Sequence, residues 1–335
     1  MKFKKCHHFS ENRYALFYVV SFLLLQNYYV SANNGIVVIG GGTGFVGKQL
    51  KKMLIQNDYK VKVISRKGQD MTWDDLKKDG LPDNTVAVVN LAGEPIMNAW
   101  KRWNDKFKKS LWDSRVETNR LIARAIEDAQ VKPKAFVAFS GVGIYPPSNE
   151  AVYDEDYKVK DDDDSFFQKM VIALENATKT STEIRTVLIR SGIVLGAKGG
   201  VVQALYQMFC FYFGNVISGG DQYFPWIHIN DVCRLTIFAI EHKQVDGVLN
   251  GVAPQTITNR EFSESLAKAV HRPLWFKTPA AMYKLMYGEE RAAMLYTGQI
   301  VKPKKVLASG FKYEYDTIDK ALNQTVQEIQ HPDRI

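Results

Sequence analysis

A run of four β-branched residues, Ile36-Val37-Val38-Ile39, stops at Gly40-Gly41-Gly42. Apolar residues then recur at helical spacing at Val46, Leu50, Met53 and Leu54. Strand, glycine turn and helix are predicted in succession. Lys60-Val61-Lys62-Val63-Ile64-Ser65 alternates and predicts a second strand. Thr85 to Leu91, Ala135 to Ser140 and Arg185 to Arg190 are close to continuously apolar. Strands buried on both faces of a parallel sheet read this way. Helices are expected from about Ser114 to Ala129, from Ser165 to about Ala177, and from Cys233 to Glu241, the last with Asp231 as its N-cap. Leu205 to Phe213 is strongly aromatic and reads as a buried helix or a lid. From Val248 to Ala321 short strands and helices alternate. The predicted fold class is α/β: a Rossmann-type, doubly wound parallel sheet with a small C-terminal α/β domain. The expected division is a leader over 1–34, the sheet domain over 35–245 and a substrate-side domain over 246–325.

Composition narrows the function classes. The chain has 335 residues, 46% of them hydrophobic, enough to build a large core. Its net charge is +8, but no dense basic run interleaves with aromatics, which argues against nucleic-acid binding. The three cysteines, Cys6, Cys210 and Cys233, are odd in number and form no C-x-x-C, so no disulfide framework is expected. No metal-ligand spacing is present. In the first 34 residues Lys2, Lys4, Lys5 and Arg13 precede the apolar stretch Tyr14 to Leu25 and the small-residue site Val30-Ser31-Ala32. That layout is a secretory signal, an anchor helix, a mitochondrial presequence or an upstream extension. Any membrane contact is expected through this leader. Without it the chain reads as cytoplasmic.

The glycines carry the first chemical signal. Gly41, Gly44 and Gly47 stand three apart, as G-x-x-G-x-x-G, with Gly42, Thr43, Phe45 and Val46 between them. In a strand–turn–helix setting, the first glycine turns the chain and the second lets a pyrophosphate approach the backbone. The third lets helix and strand pack closely. The helix N-terminus then faces the phosphates with its free amides. The second strand ends in Ser65-Arg66-Lys67. An acidic residue there would hold the ribose hydroxyl of NAD. Arg66 offers a planar cation instead, which suits the 2′-phosphate of NADP or stacking on adenine, and Ser65 adds a hydroxyl. The plainer reading is that Arg66 and Lys67 solvate a strand end. His228 is either a general base or a buried, turn-capping imidazole. Asp154-Glu155-Asp156 and Asp161 to Asp164 read as a solvated acidic loop.

With these residues placed, the chain resembles the extended short-chain dehydrogenase/reductase superfamily. Within it, the chain is similar to the YfcH-like epimerase family that includes the vertebrate 39U class. The matching blocks include Gly41–Gly47, Val63–Arg66, Asn90–Pro95, Ser114–Thr118, Arg190–Gly196, Phe224–Asp231 and Gly247–Pro254. The resemblance implies bound NADP. The cofactor contacts it implies are Gly41 to Gly47, Ser65, Arg66, Leu91, Arg115 and Val194.

The departure from that superfamily concerns proton transfer. Its reductases carry Tyr-x-x-x-Lys on the helix after the strand that ends in Ser140. With Glu175 as the helix landmark, Phe167 and Val171 take the Tyr and Lys positions, and neither can carry a proton. Ser140 keeps a hydroxyl at the strand end, and Tyr145 offers a phenol from the next loop or packs there. Two readings follow. One is an NADP-dependent oxidoreductase or epimerase with other acid–base groups and an unidentified small-molecule substrate. The other is an NADP-binding sensor or scaffold with little turnover.

Overall fold

The computed structural model describes residues 34–68, 70–98, 101–160, 165–181 and 184–332. The leader and Asp161 to Asp164 lie outside them. Six strands form one parallel sheet: β1 (Ile36–Gly40), β2 (Lys60–Ile64), β3 (Thr85–Asn90), β4 (Ala135–Gly141), β6 (Arg185–Ser191) and β10 (Gly247–Gly251), with the order β10-β6-β4-β3-β1-β2. From β1 the chain winds one way to β2 and the other way through β3, β4 and β6. The reversal leaves a crevice outside the carboxyl ends of β1 and β3, where ligands bind in open α/β sheets.

Side-chain pattern explains why these segments became strands. Val37, Val38, Ile39, Val88, Val89, Phe136, Val137, Val187 and Ile189 are all fully buried, because helices cover both faces. On one face lies α1 (Phe45–Gln56), which presents Leu50 and Leu54 to the sheet. Burying each leucine is worth about 1.5–3 kcal/mol. On that same face packs α7 (Ile229–Glu241). The opposite face is covered by α2 (Trp73–Asp79) and α4 (Thr118–Asp128).

Several boundaries differ from the sequence expectation. The helix expected near Ser114 begins earlier, as α3 (Asp105–Trp112), capped by the Asn104 side chain on the Phe107 N–H. It passes through a π turn, Asp113–Glu117, into α4. The cap of α7 is His228, not Asp231: the imidazole Nδ1 accepts from the Asn230 N–H. Asp231 is fully buried and accepts the N–H groups of Glu314 and Tyr315 at 2.9 and 2.8 Å. It thereby fastens the C-terminal segment to the sheet domain. The sixth strand of the sheet, β10, lies beyond residue 245.

The remaining elements are α5 (Phe166–Ala177), which packs on the sheet between β4 and β6, and those of the C-terminal lobe and its borders. The latter are β5 (Ser148–Tyr153), β7 (Ile193–Leu195), α6 (Gly200–Cys210), β8 (Asn215–Ile217), β9 (Trp226–His228), α8 (Asn259–Ala269), β11 (Phe276–Thr278), α9 (Ala280–Tyr287), α10 (Glu289–Tyr296), β12 (Gln299–Val301), α11 (Lys304–Ala308) and α12 (Ile318–Gln330). A second core joins α6, α8 and α12 through Val202, Phe209, Phe262, Leu266 and Leu322.

Since β1 opens at Ile36, a chain beginning at Asn34 is expected to fold and bind cofactor with unchanged affinity. Its urea midpoint should match that of the full chain. An insoluble product would show that the leader belongs to the core.

Candidate functional site

The glycine turn is shaped by what surrounds it. Gly41 has φ +76°, and a Cβ there would stand 2.8 Å from Leu91 C and Ala92 N at the end of β3. A Cβ on Gly47 would stand 2.5 Å from the Gly41 carbonyl oxygen. Gly44 and Thr43 are exposed on the open side. The turn and the β3 end therefore touch through backbone alone and face the crevice together. Phe45 extends the same wall, since a Cβ on Gly199 would meet its ring at 2.6 Å. The loop after β7 thus lies on Phe45, which brings the Val194 strand beside the glycine turn. Val194 itself pairs in register with Ile227 of β9.

At the end of β2, Ser65 is buried, and its Oγ has no hydrogen-bond partner among the described residues. Leaving such a group unpaired costs about 1–3 kcal/mol. Arg66 beside it is exposed, and no ion pair holds its guanidinium among the described residues. Its charge acts on Glu94. Burial would raise the Glu94 carboxyl pKa, but hydrogen bonds from Lys101 and Ser110, with the charges of Lys101 and Arg66, hold it below the usual range.

Arg115 sits on the π turn. Such turns shift the register of a helix and occur often at functional sites. Side chains satisfy the carbonyls this one disturbs. The Thr118 hydroxyl donates to Ser114 O at 2.9 Å, and Asn119 Nδ2 donates to Arg115 O at 3.0 Å. Asn90 Nδ2 donates to Asn119 Oδ1 at 2.8 Å, which ties the turn to the end of β3. The Arg115 guanidinium packs on Gly93, where a Cβ would lie 3.1 Å from its Cζ, and Nη2 donates to Glu94 O at 2.8 Å. Burial lowers its pKa to about 10, an effect the Glu94 charge opposes. Arg115 holds the backbone that forms the far wall of the crevice.

The second cluster lies at the carboxyl ends of β4 and β6. The Ser140 hydroxyl donates to Glu175 Oε1 at 2.7 Å. Arg190 grips the same carboxylate with two parallel bonds, Nε to Oε1 at 2.9 Å and Nη2 to Oε2 at 2.8 Å. Its Nη1 donates to the Tyr145 hydroxyl at 3.0 Å, and that hydroxyl donates to Asn250 Oδ1 at 2.8 Å. Burial works against the Arg190 charge, but Glu175 outweighs it and raises the guanidinium pKa. Tyr145 is 1% exposed and stacked on Tyr153 at 5.1 Å. Burial raises its phenol above the usual range, although Arg190 opposes this. Of the two hydroxyls singled out in the sequence, Ser140 stands at the edge of the cleft. Tyr145 is enclosed, with its hydroxyl engaged by Arg190, Asn250 and the Asp154 carbonyl.

Phe167 and Val171 are both buried, and Phe167 stacks on Trp103 at 5.3 Å. Glu175 and Arg190 were not among the sequence candidates. Their signal was present: Arg190 closes the apolar run Val187-Leu188-Ile189, and a charge at a buried strand end needs a partner.

His228 is fully buried, lies 3.7 Å from the Tyr315 ring, and leaves Nε2 unpartnered among the described residues. Burial lowers its pKa to about 3 from an ordinary 6.5. Above pH 6.5 both folded and unfolded chains carry it neutral, so it costs nothing. Below that pH only the unfolded chain takes the proton. Stability should fall by up to about 1.4 kcal/mol per pH unit from this group, levelling off near pH 3. Urea midpoints measured from pH 7 to 4 should show a shallower slope in His228→Asn, which keeps an oxygen to cap α7. Identical slopes would contradict a buried neutral imidazole.

Comparison with known proteins identifies the family and the fold. Residues 37–250 match the NAD dependent epimerase/dehydratase family, and residues 278–325 match a domain of unknown function, DUF1731. The epimerase family protein SDR39U1 of Bos taurus is 43% identical over 294 residues, 87% of this chain and 99% of that protein. The epimerase family protein YfhF of Bacillus subtilis is 31% identical over 301 residues, 87% of this chain and 97% of that one. The crystal structure of human SDR39U1 with NADPH superposes with a TM-score of 0.85 at 41% identity, covering 87% of this chain and 99% of that one. A UDP-glucuronic acid 4-epimerase from Bacillus cereus shares the fold, with a TM-score of 0.67 at 16% identity, covering 89% of this chain and 99% of that one. The chain belongs to the NAD-dependent epimerase/dehydratase family.

Proposed function

We propose that this protein is an NADP-dependent oxidoreductase or epimerase in which Ser140, held by Glu175, handles the substrate proton. The observation that carries this reading is the Ser140–Glu175 hydrogen bond of 2.7 Å beside the crevice. Because the Ser140 hydrogen points to the carboxylate, its lone pairs are left for a substrate hydroxyl. A proton accepted by Ser140 has a route onto Glu175. Arg190 fixes the carboxylate so that this hydroxyl keeps one orientation.

The residues around the crevice suit NADP. The glycine turn offers a wall without Cβ atoms at Gly41, Gly44 and Gly47. Ser65 and Arg66 supply an unpaired hydroxyl and a free guanidinium for the 2′-phosphate. The human relative crystallised with NADPH supports the same cofactor. Bound NADP would supply the redox chemistry. The protein residues bind it, position the substrate and move the proton.

The experiment is a screen of carbonyl and alcohol substrates followed by nicotinamide absorbance. Turnover by the wild type that drops at least a hundredfold in Ser140→Ala, with unchanged NADPH affinity, supports the proton role (general acid–base groups contribute about 10²–10⁴-fold). Turnover unchanged in Ser140→Ala contradicts it. The second reading, an NADP-binding sensor, rests on the apolar Phe167 and Val171 at the expected Tyr and Lys positions. Tight NADPH binding with no turnover of any substrate would favour it.

A further inference from the structure

One side of the C-terminal lobe is apolar and open. Phe211, Phe213, Trp275, Phe276, Leu285 and Met286 are all exposed there, Trp275 at 70% and Leu285 at 89%. They lie on neighbouring elements. The strands β8 and β11 pair in parallel, Phe213 stacks with Phe276 and Tyr212 with Trp275 at 6.5 and 6.2 Å, and Tyr283 of α9 donates to Asn215 of β8 at 3.3 Å. No residue of α9 is buried, yet its most exposed side chains are apolar. A water-facing helix has its polar residues on that side, so this face has the composition of a contact surface.

Its charge points to the occupant. Residues 205–217 and 270–287 contain no Asp or Glu, whereas Arg272, Lys277 and Lys284 supply three cations. Lys284 pairs with Glu289 at 2.7 Å, and Arg272 lies 5.0 Å over the Tyr212 ring. Lys277 is exposed and makes no ion pair among the described residues. A second copy of the chain fits poorly, because a two-fold contact would bring Arg272 and Lys277 of both copies together, and the nearby Glu289 is already taken by Lys284. Exposed aromatic rings, long aliphatic chains and cations on neighbouring elements match the zone where lipid headgroups meet acyl chains. No helix among the described residues is long and apolar enough to cross a membrane, so the face would lie on a bilayer.

We propose that the face built by the end of α6, β8, β11 and α9 docks on an anionic lipid surface. The rings and Leu285 enter the headgroup boundary, while Arg272 and Lys277 meet the lipid phosphates and carboxylates. The face is linked to α5, the helix that carries Glu175, through α10. Next to α9, α10 holds the segment whose Trp103 packs on Phe167: Glu290 accepts from Trp103 Nε1 at 2.8 Å and from Lys108 Nζ at 2.6 Å.

The test is hydrogen exchange of the full chain with vesicles of phosphatidylcholine alone, or with about a third phosphatidylserine. Amides in 205–217 and 270–287 should slow with the anionic vesicles and stay unchanged with the neutral ones. The leader has its own basic and apolar residues, so exchange in these segments is the deciding readout. Leu285→Ser combined with Trp275→Ser should abolish the slowing while leaving the urea midpoint unchanged. Lys277→Ala should weaken anionic-vesicle affinity about fivefold. No slowing in either segment, or equal slowing with neutral vesicles, would overturn the proposal. Protection that appears without vesicles and grows with protein concentration would overturn it too, by showing a second copy on the face.

Discussion

Arg190→Leu is expected to lower the stability of the folded chain by about 3–5 kcal/mol, the usual cost of removing one partner from a buried ion pair. The Arg190 and Glu175 side chains are only 6% and 13% exposed, with the closest contact at 2.8 Å. Removing the guanidinium leaves the Glu175 carboxylate without its charged partner. It also strips the Tyr145 hydroxyl of the donor that links it to β6. Replacing both partners should cost less, because no charge is then left buried without its opposite. Urea unfolding followed by tryptophan fluorescence would compare Arg190→Leu with the double variant Arg190→Leu/Glu175→Leu. The double variant should be the more stable of the two. A double variant as unstable as the single would mean that the pair contributes through shape rather than charge.

NADPH affinity should fall about tenfold to a hundredfold in Arg66→Ala, while NADH affinity changes little. Hydrogen bonds to charged groups contribute about 1.5–3 kcal/mol each, and solvent at this exposed strand end reduces the sum to about 1.4–2.8 kcal/mol. NADH presents only a hydroxyl at that place and forgoes these bonds. Ser65→Ala should act in the same direction more mildly. Its Oγ is already buried without a partner among the described residues, so the variant also removes an unpaired group from the apo protein. Isothermal titration with both cofactors reads the ratio directly. Equal losses for the two in Arg66→Ala would remove it as the phosphate clamp.

Much of the sheet was legible because buried parallel strands leave a strong mark. Val37 to Ile39 and Val86 to Val89 can be little else once a glycine turn follows the first of them. The crevice followed from the same marks, since the turn after β1 and the small residues after β3 must meet at the switch point. Other features depend on tertiary partners that no local pattern records. Phe107 and Leu111 give α3 too short an apolar stripe to stand out among its lysines. Asp231 looks like a cap in the sequence, but its carboxylate serves two distant amides at Glu314 and Tyr315. Phe211 and Phe213 read as core by composition, yet they fall just beyond the end of α6 on the open face of the lobe. Tyr145 illustrates the limit for chemistry: a phenol near the expected site says nothing of whether Arg190 and Asn250 already hold it. Glu175 and Arg190 lie 15 positions apart, and only the packing of α5 on the sheet joins them.

The most direct measurement is the hydrogen-exchange footprint of NADPH on the full chain. Exchange should slow in residues 40–48, 63–67, 91–95 and 192–196, the walls of the crevice between β1 and β3. Exchange in α8 and α12 should stay unchanged. Tight binding that leaves the glycine turn and the end of β2 exchanging at their apo rates would contradict cofactor binding in this crevice.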